Sequence, residues 1–186
     1  GDLTVRDILN QIYTVDQLMA QEGGTPLSNI VYMGQGEPLD NIDNVLKSAE
    51  ILTADYGWAW SPRRITISTV GLKKSMRRLL DECECHIAVS LHSPIHEQRL
   101  QLMPAEKQFP IADVVAMLKE YDWSHQRRIT FEYTMFGGAN DSMLHAKELR
   151  RLLGGMDCRV NLIRWHQVPD VPLKEVQLSA MERFRD

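Results

Sequence analysis

Hydrophobic and polar positions change period several times along the chain. Residues 5 to 19 place Val5, Ile8, Leu9, Ile12, Val15, Leu18 and Met19 on one stripe. Spacing of that kind predicts an amphipathic helix. Gly23, Gly24 and Pro26 in "EGGTPLSN" break it, and Ile30 to Met33 then reads as a fully buried strand. Ile42, Val45, Leu46, Ala49 and Leu52 return to the helical period, and "RRITIST" follows as a strand from about Arg64 to Ser68. The alternation continues with a helix in "GLKKSMRRLLDE", a strand in "HIAVSLH" and a helix in "IADVVAMLKEY" behind Pro110. After these come the strand "RITFEY", the helix "SMLHAKELRRLL", the strand "RVNLIRW" and a last helix in "EVQLSAMERFRD".

The pattern predicts five strands, starting near 29, 64, 86, 128 and 159. Gaps of 35, 22, 42 and 31 residues between these starts leave room for crossover helices. Such spacing implies parallel strands with right-handed connections, hence an α/β barrel or a doubly wound sheet. A closed eight-stranded barrel needs about 250 residues, so five strands leave the sheet open. No linker or low-complexity segment divides residues 1–186, which read as a single domain. A helix with no strand before it begins the chain and a helix with no strand after it ends it, the pattern expected of a fragment.

Composition narrows the partners. With 44% hydrophobic residues the chain can build a proper core. The apolar runs suit neither a membrane span nor a secretion signal, so a cytoplasmic location is expected. Cys83, Cys85 and Cys158 form no disulfide framework and match no zinc spacing, and inert thiols are expected of them. A net charge of -4 argues against broad electrostatic binding of nucleic acid but leaves room for a local basic site. The arginine pairs at 63–64, 77–78, 127–128 and 150–151 read as solvated or salt-bridged surface.

In parallel α/β sheets, ligands gather at the carboxyl ends of strands. Here those ends hold Gly34, Gly36 and Glu37, then Ser68, Thr69 and Gly71, then Ser90 and His92, then Glu132 and Tyr133, and finally Asn161, Arg164, Trp165 and His166. The stretch "IVYMGQGEPLDN" strips side chains from the backbone and then presents an acid, an arrangement suited to an amino-acid-like ammonium group. A plain turn, whose glycines take positive φ, explains the same residues. Ser68 and Ser90 read equally as capping hydroxyls, and neither His92 nor His166 has a second ligand at metal spacing.

Five segments, "MGQGEPLDN", "RRITISTVGL", "AVSLHSP", "ITFEYTMFGGAND" and "CRVNLIRWH", resemble in order and interval the radical-SAM adenine-C2 RNA methyltransferases of RlmN/Cfr type. The resemblance runs from Gly1 to about Pro172. It implies a partial (β/α) barrel and methylation of an adenine carbon in 23S rRNA, with tRNA a further substrate of some members. It also implies S-adenosylmethionine and a [4Fe-4S] cluster held on a CxxxCxxC loop, an electron donor such as flavodoxin, and a methyl-carrying cysteine near the C-terminus. This chain contains no CxxxCxxC, and its three cysteines match neither device. The resemblance therefore places the cluster ligands outside these residues, and the isolated fragment is expected to be inactive. Gly36 and Glu37 would hold the methionine amine, while Ser68 and the triplet Ser90, Leu91 and His92 would line the rest of the cofactor site. His166 stands where the family usually has asparagine, in a contact with cofactor or adenine. Two other readings compete: a radical-SAM activase that forms a glycyl radical on a partner enzyme, and a non-catalytic α/β domain binding a small amine or phosphate.

Overall fold

The computed structural model describes residues 1–34, 36–124 and 128–186. Gln35 of the glycine-rich stretch and Arg127 of the third arginine pair lie outside the described residues. Five strands form one sheet in the order β1-β2-β3-β4-β5: Ile30–Tyr32, Ile65–Thr69, His86–Ser90, Ile129–Met135 and Arg159–Arg164. Each starts within a residue of its expected position, and the alternation with helices gives the open parallel α/β sheet read from the sequence. The helices are α1 (Val5–Gln21), α2 (Ile42–Thr53), α3 (Lys73–Glu82), α4 (His96–Leu102), α5 (Ile111–Leu118), α6 (Met143–Leu153) and α7 (Leu178–Arg185). Short 3-10 turns stand at Pro38–Asn41, Pro62–Arg64 and Pro104–Lys107. No described helix is long and apolar enough to cross a membrane.

The described residues divide into two compact units, the first running Gly1–Ile87 with Arg128 and the second taking in 88–124 and Ile129–Asp186. In the first, β1 runs parallel to β2, with Ile30 opposite Ile65 and Tyr32 opposite Ile67. Val45, Ala49 and Leu52 of α2 and Met76, Leu79 and Leu80 of α3 are buried. Thr4 and Asp7 close a capping box at the start of α1, each side chain bonding the other's backbone N–H. That reciprocal bonding satisfies two amides that the first helical turn leaves open.

The expectation of a fully buried first strand is corrected here: Val31 is 53% and Met33 59% exposed. Successive residues of a strand point to opposite faces, and Tyr32 turns toward α2, where its hydroxyl bonds Ser48 Oγ at 2.8 Å. Val31 turns the other way, into an open cavity it shares with Ile8 and Ile12 of α1. A four-residue apolar run does not distinguish a strand packed on both faces from one that borders a cavity.

In the second unit β4 alternates cleanly, with Ile129, Phe131, Tyr133 and Met135 fully buried. Ile111, Val114, Val115 and Leu118 of α5 and Leu149 and Leu153 of α6 join that core. β5 runs parallel to β4 along its whole length, from Arg159 opposite Thr130 to Arg164 opposite Met135. Gly137 follows β4 where the 172–176 segment returns, and its N–H donates to Lys174 O at 2.8 Å. A Cβ at Gly137 would lie 2.5 Å from Glu175 O, so crowding, not conformation, selects glycine there.

Candidate functional site

At the end of β1 the backbone makes its glycine turn. Gly34 has φ +134° and Gly36 φ +101°, and a Cβ on either would meet nothing within 4 Å. Positive φ demands glycine at both positions, and the space beside them is open. Glu37 follows as the N-cap of the Pro38–Asn41 turn. Its Oε1 accepts the Leu39 N–H at 3.0 Å, and its Oε2 accepts the Val70 N–H, just past β2, at 2.9 Å. The carboxylate therefore ties the β1 turn to the end of β2. Each oxygen keeps a further lone pair, so the anchored group can still accept from a ligand.

A cavity of about 350 Å³ opens beside this turn, lined by Gly34, Gly36, Glu37 and Asp40 with Gln11 and Ile12 of α1. Asn41 braces its rim by donating to Leu3 O at 2.7 Å. Burial pushes the Tyr32 phenol up to about 12, which keeps it neutral. Ser68 and Thr69 are buried at the end of β2, and Thr69 Oγ1 accepts the Gly71 N–H at 3.0 Å.

In the second unit the triplet Ser90, Leu91 and His92 ends β3. The Leu91 and His92 N–H groups both donate to Glu132 O, at 2.9 and 3.2 Å. His92 then takes φ +57°, a left-handed bend uncommon for a residue with a side chain. Its Nδ1 accepts the Thr134 N–H of β4 at 3.0 Å, so the imidazole replaces a backbone carbonyl where β3 turns away. Desolvation, with a smaller push from the Arg99 charge, lowers the His92 pKa to about 4. The ring is neutral at ordinary pH, with its proton on Nε2.

Two residues that the sequence reading did not select hold this bend. Arg99 is fully buried; its Nη2 donates to Ser90 O at 2.8 Å and its Nε to Leu91 O at 2.9 Å. Nη1 pairs with Glu106, also buried, whose Oε2 takes the Ile111 N–H and whose Oε1 meets His96 Nδ1. Asn140 is fully buried as well, and its Nδ2 donates to His92 O at 2.7 Å and Thr134 O at 2.8 Å. Its Oδ1 accepts the Phe136 N–H at 2.7 Å, while its carbonyl accepts from Tyr133 Oη at 2.7 Å. Asn140 lies within the quoted "FGGAND", but Arg99 and Glu106 carried no signal beyond being charges in an apolar setting.

The structure does not join His166 to these groups. Its ring is 82% exposed, with Nδ1 3.5 Å from Glu175 Oε1, an oxygen also 3.3 Å from Arg164 Nε. Next to it, Trp165 packs on Phe136 with ring centroids 5.2 Å apart, and the buried Trp165 Nε1 has no hydrogen-bond partner among the described residues. Cys83 and Cys85 are buried, and desolvation raises the pKa of half-buried Cys158. Among the described residues no group of three His, Cys, Asp or Glu could hold a metal ion.

Comparison with known proteins follows the same lines. A probable dual-specificity RNA methyltransferase RlmN of Bacteroides thetaiotaomicron is 54% identical over 186 residues, covering all of this chain and 52% of the relative. The chain belongs to the RlmN family. It spans about half the length of the curated relatives it matches, including an RlmN of Parabacteroides distasonis at 54% identity. The crystal structure of a radical SAM methyltransferase from Sphaerobacter thermophilus superimposes with a TM-score of 0.91 at 38% identity, over 98% of this chain and 54% of that one. A domain of a pyruvate-formate lyase-activating enzyme from Bacteroides vulgatus reaches a TM-score of 0.62 at 14% identity, over 84% of this chain and 90% of that one, which is a likeness of fold alone. No protein-family model matches the chain.

Proposed function

We propose that this chain is the core of a radical SAM RNA methyltransferase that modifies an adenine carbon of 23S rRNA, and of tRNA, in the cytoplasm. The observation that carries the reading is the anchored Glu37 carboxylate beside the open Gly34–Gly36 turn, in a chain 54% identical throughout to an RlmN. A carboxylate fixed by two amides, with lone pairs to spare, fits the ammonium of S-adenosylmethionine. Gly36 lets the backbone approach that group. Ser68 at the end of β2, and Ser90, Leu91 and His92 at the end of β3, would line the nucleoside, with His92 offering one neutral N–H. His166, exposed beside Glu175, is free to turn toward a ligand.

The described residues do not fit an iron–sulfur cluster, so its ligands belong to a part of the polypeptide outside them, and an electron donor such as flavodoxin would serve that part. Held at this shelf by Gly36, Glu37 and the residues at the ends of β2 and β3, S-adenosylmethionine would supply radical chemistry. What these residues do is bind, orient and hold protons in place. The test is the full-length polypeptide, reconstituted anaerobically with iron and sulfide and incubated with methyl-labelled S-adenosylmethionine and 23S rRNA. Mass spectrometry should find a methyl group on an adenine carbon. Methylation elsewhere, or a glycyl radical on an added protein and no labelled RNA, would overturn the assignment.

A further inference from the structure

Three consecutive carbonyls, those of Ser90, Leu91 and His92, are each taken by a buried side chain. Arg99 holds the first two through Nη2 and Nε, and Asn140 holds the third through Nδ2. Both residues are fully buried. A buried guanidinium is an expensive way to satisfy two carbonyls, because its charge requires Glu106 to be buried with it. Apolar side chains of similar volume often serve stability as well. What the pair does, and apolar packing cannot, is fix the direction of two peptide planes at once with a planar fork.

The effect reaches the His92 ring. With its carbonyl fixed by Asn140 and its φ at +57°, His92 places Nδ1 3.0 Å from the Thr134 N–H. Asn140 also fixes Thr134 O at 2.8 Å, so one amide group orients both partners of that bond. Nδ1 is thus committed as an acceptor, and Nε2–H has no acceptor among the described residues. We infer that Arg99 and Asn140 are positioning residues of the cofactor site, locking His92 in the Nε2–H tautomer as a donor to an uncharged acceptor on the nucleoside half of S-adenosylmethionine. Charge selects that half: the ammonium and sulfonium cannot accept a hydrogen bond, and a carboxylate would be better served by a cation. The inference rests on the cofactor reading above.

The test uses the full-length polypeptide labelled with ¹⁵N-histidine. Its ring-nitrogen spectrum reports the His92 tautomer, equilibrium binding gives the affinity for S-adenosylmethionine, and filter binding gives the affinity for 23S rRNA. Three variants are compared: N140A, R99K, and the double change Arg99→Met with Glu106→Leu, which leaves no lone buried charge. Expected is a single, non-titrating Nε2–H signal in the parent between pH 5.5 and 8. In the variants the signal should become titrating or tautomerically averaged. Cofactor affinity should fall about ten- to a hundredfold while RNA affinity changes less than about twofold. A purely structural role predicts instead that both affinities fall together, in step with the melting temperature. Unchanged spectra and unchanged cofactor affinity in folded variants would overturn the inference. If the double change does not fold, R99K decides, since lysine keeps the charge and loses the fork. A parent that binds no S-adenosylmethionine defeats the cofactor reading, and the His92 spectra still decide the positioning.

Discussion

Glu37 joins an anchoring role, its bonds to two backbone amides, to the proposed hold on an ammonium group, and one conservative change tests both. In Glu37→Gln one carboxylate oxygen becomes an NH₂, which must then face either the Leu39 or the Val70 N–H, donor against donor. A buried amide left unsatisfied costs about 1–3 kcal/mol, and a hydrogen bond to a charged group contributes about 1.5–3 kcal/mol. Urea unfolding should show the stability loss, and calorimetric titration with S-adenosylmethionine should show affinity falling about ten- to a hundredfold, the factor those energies correspond to. His92 gives a pH dependence of definite sign. Its native pKa of about 4 lies below the ordinary 6.5, so between those values the unfolded chain binds the proton and the native one does not. Stability from this group is full above pH 6.5 and is lost as pH falls toward about 4, by about 3 kcal/mol at most. His92→Gln, whose amide oxygen can still accept from Thr134, should flatten that slope in urea unfolding measured from pH 7 to 4. Glu37 and His92 could be singled out as candidates because they stand at strand ends in recognisable company. Arg99 and Glu106 were not, because a buried ion pair appears in sequence as two ordinary surface charges.

At the scale of elements, period and punctuation were enough to place every strand. Alternation along β4 and apolar stripes on the long helices leave little room for another reading. The seven-residue α4 and the 3-10 turns escaped because so few residues set no period; only Arg99 of α4 is buried. β1 was found but its burial misjudged, since neighbours decide what a strand's second face meets. The close approach of the 172–176 segment to Gly137 also has no sequence signature, glycine being common in turns. Gly137→Ala should force the two backbones apart, destabilising by about 1–3 kcal/mol. Hydrogen exchange at the amide of residue 137, which donates to Lys174 O, should quicken measurably against the parent.

For the whole molecule, identity across the full chain fixes the family, while the matched half of the relatives leaves their remaining machinery to be tested in the full-length polypeptide. A net charge of -4 gives these residues no general attraction for RNA, so the proposed RNA substrate would have to be met by local groups or by parts of the polypeptide outside them. Among the described α-helices, one stands apart in its packing. α1 has a complete capping box but not one buried residue, and its described ties include the Leu27 N–H on Asp16 and the Asn41 amide on Leu3 O. Those ties depend on residues further along the chain. Native-state hydrogen exchange should therefore rank the amides of α1 well below those of β2 and β4, and equal protection would contradict this picture. Translation makes α1 before any of the five strands, so the helix is exposed on the nascent chain while its supports are still being synthesised.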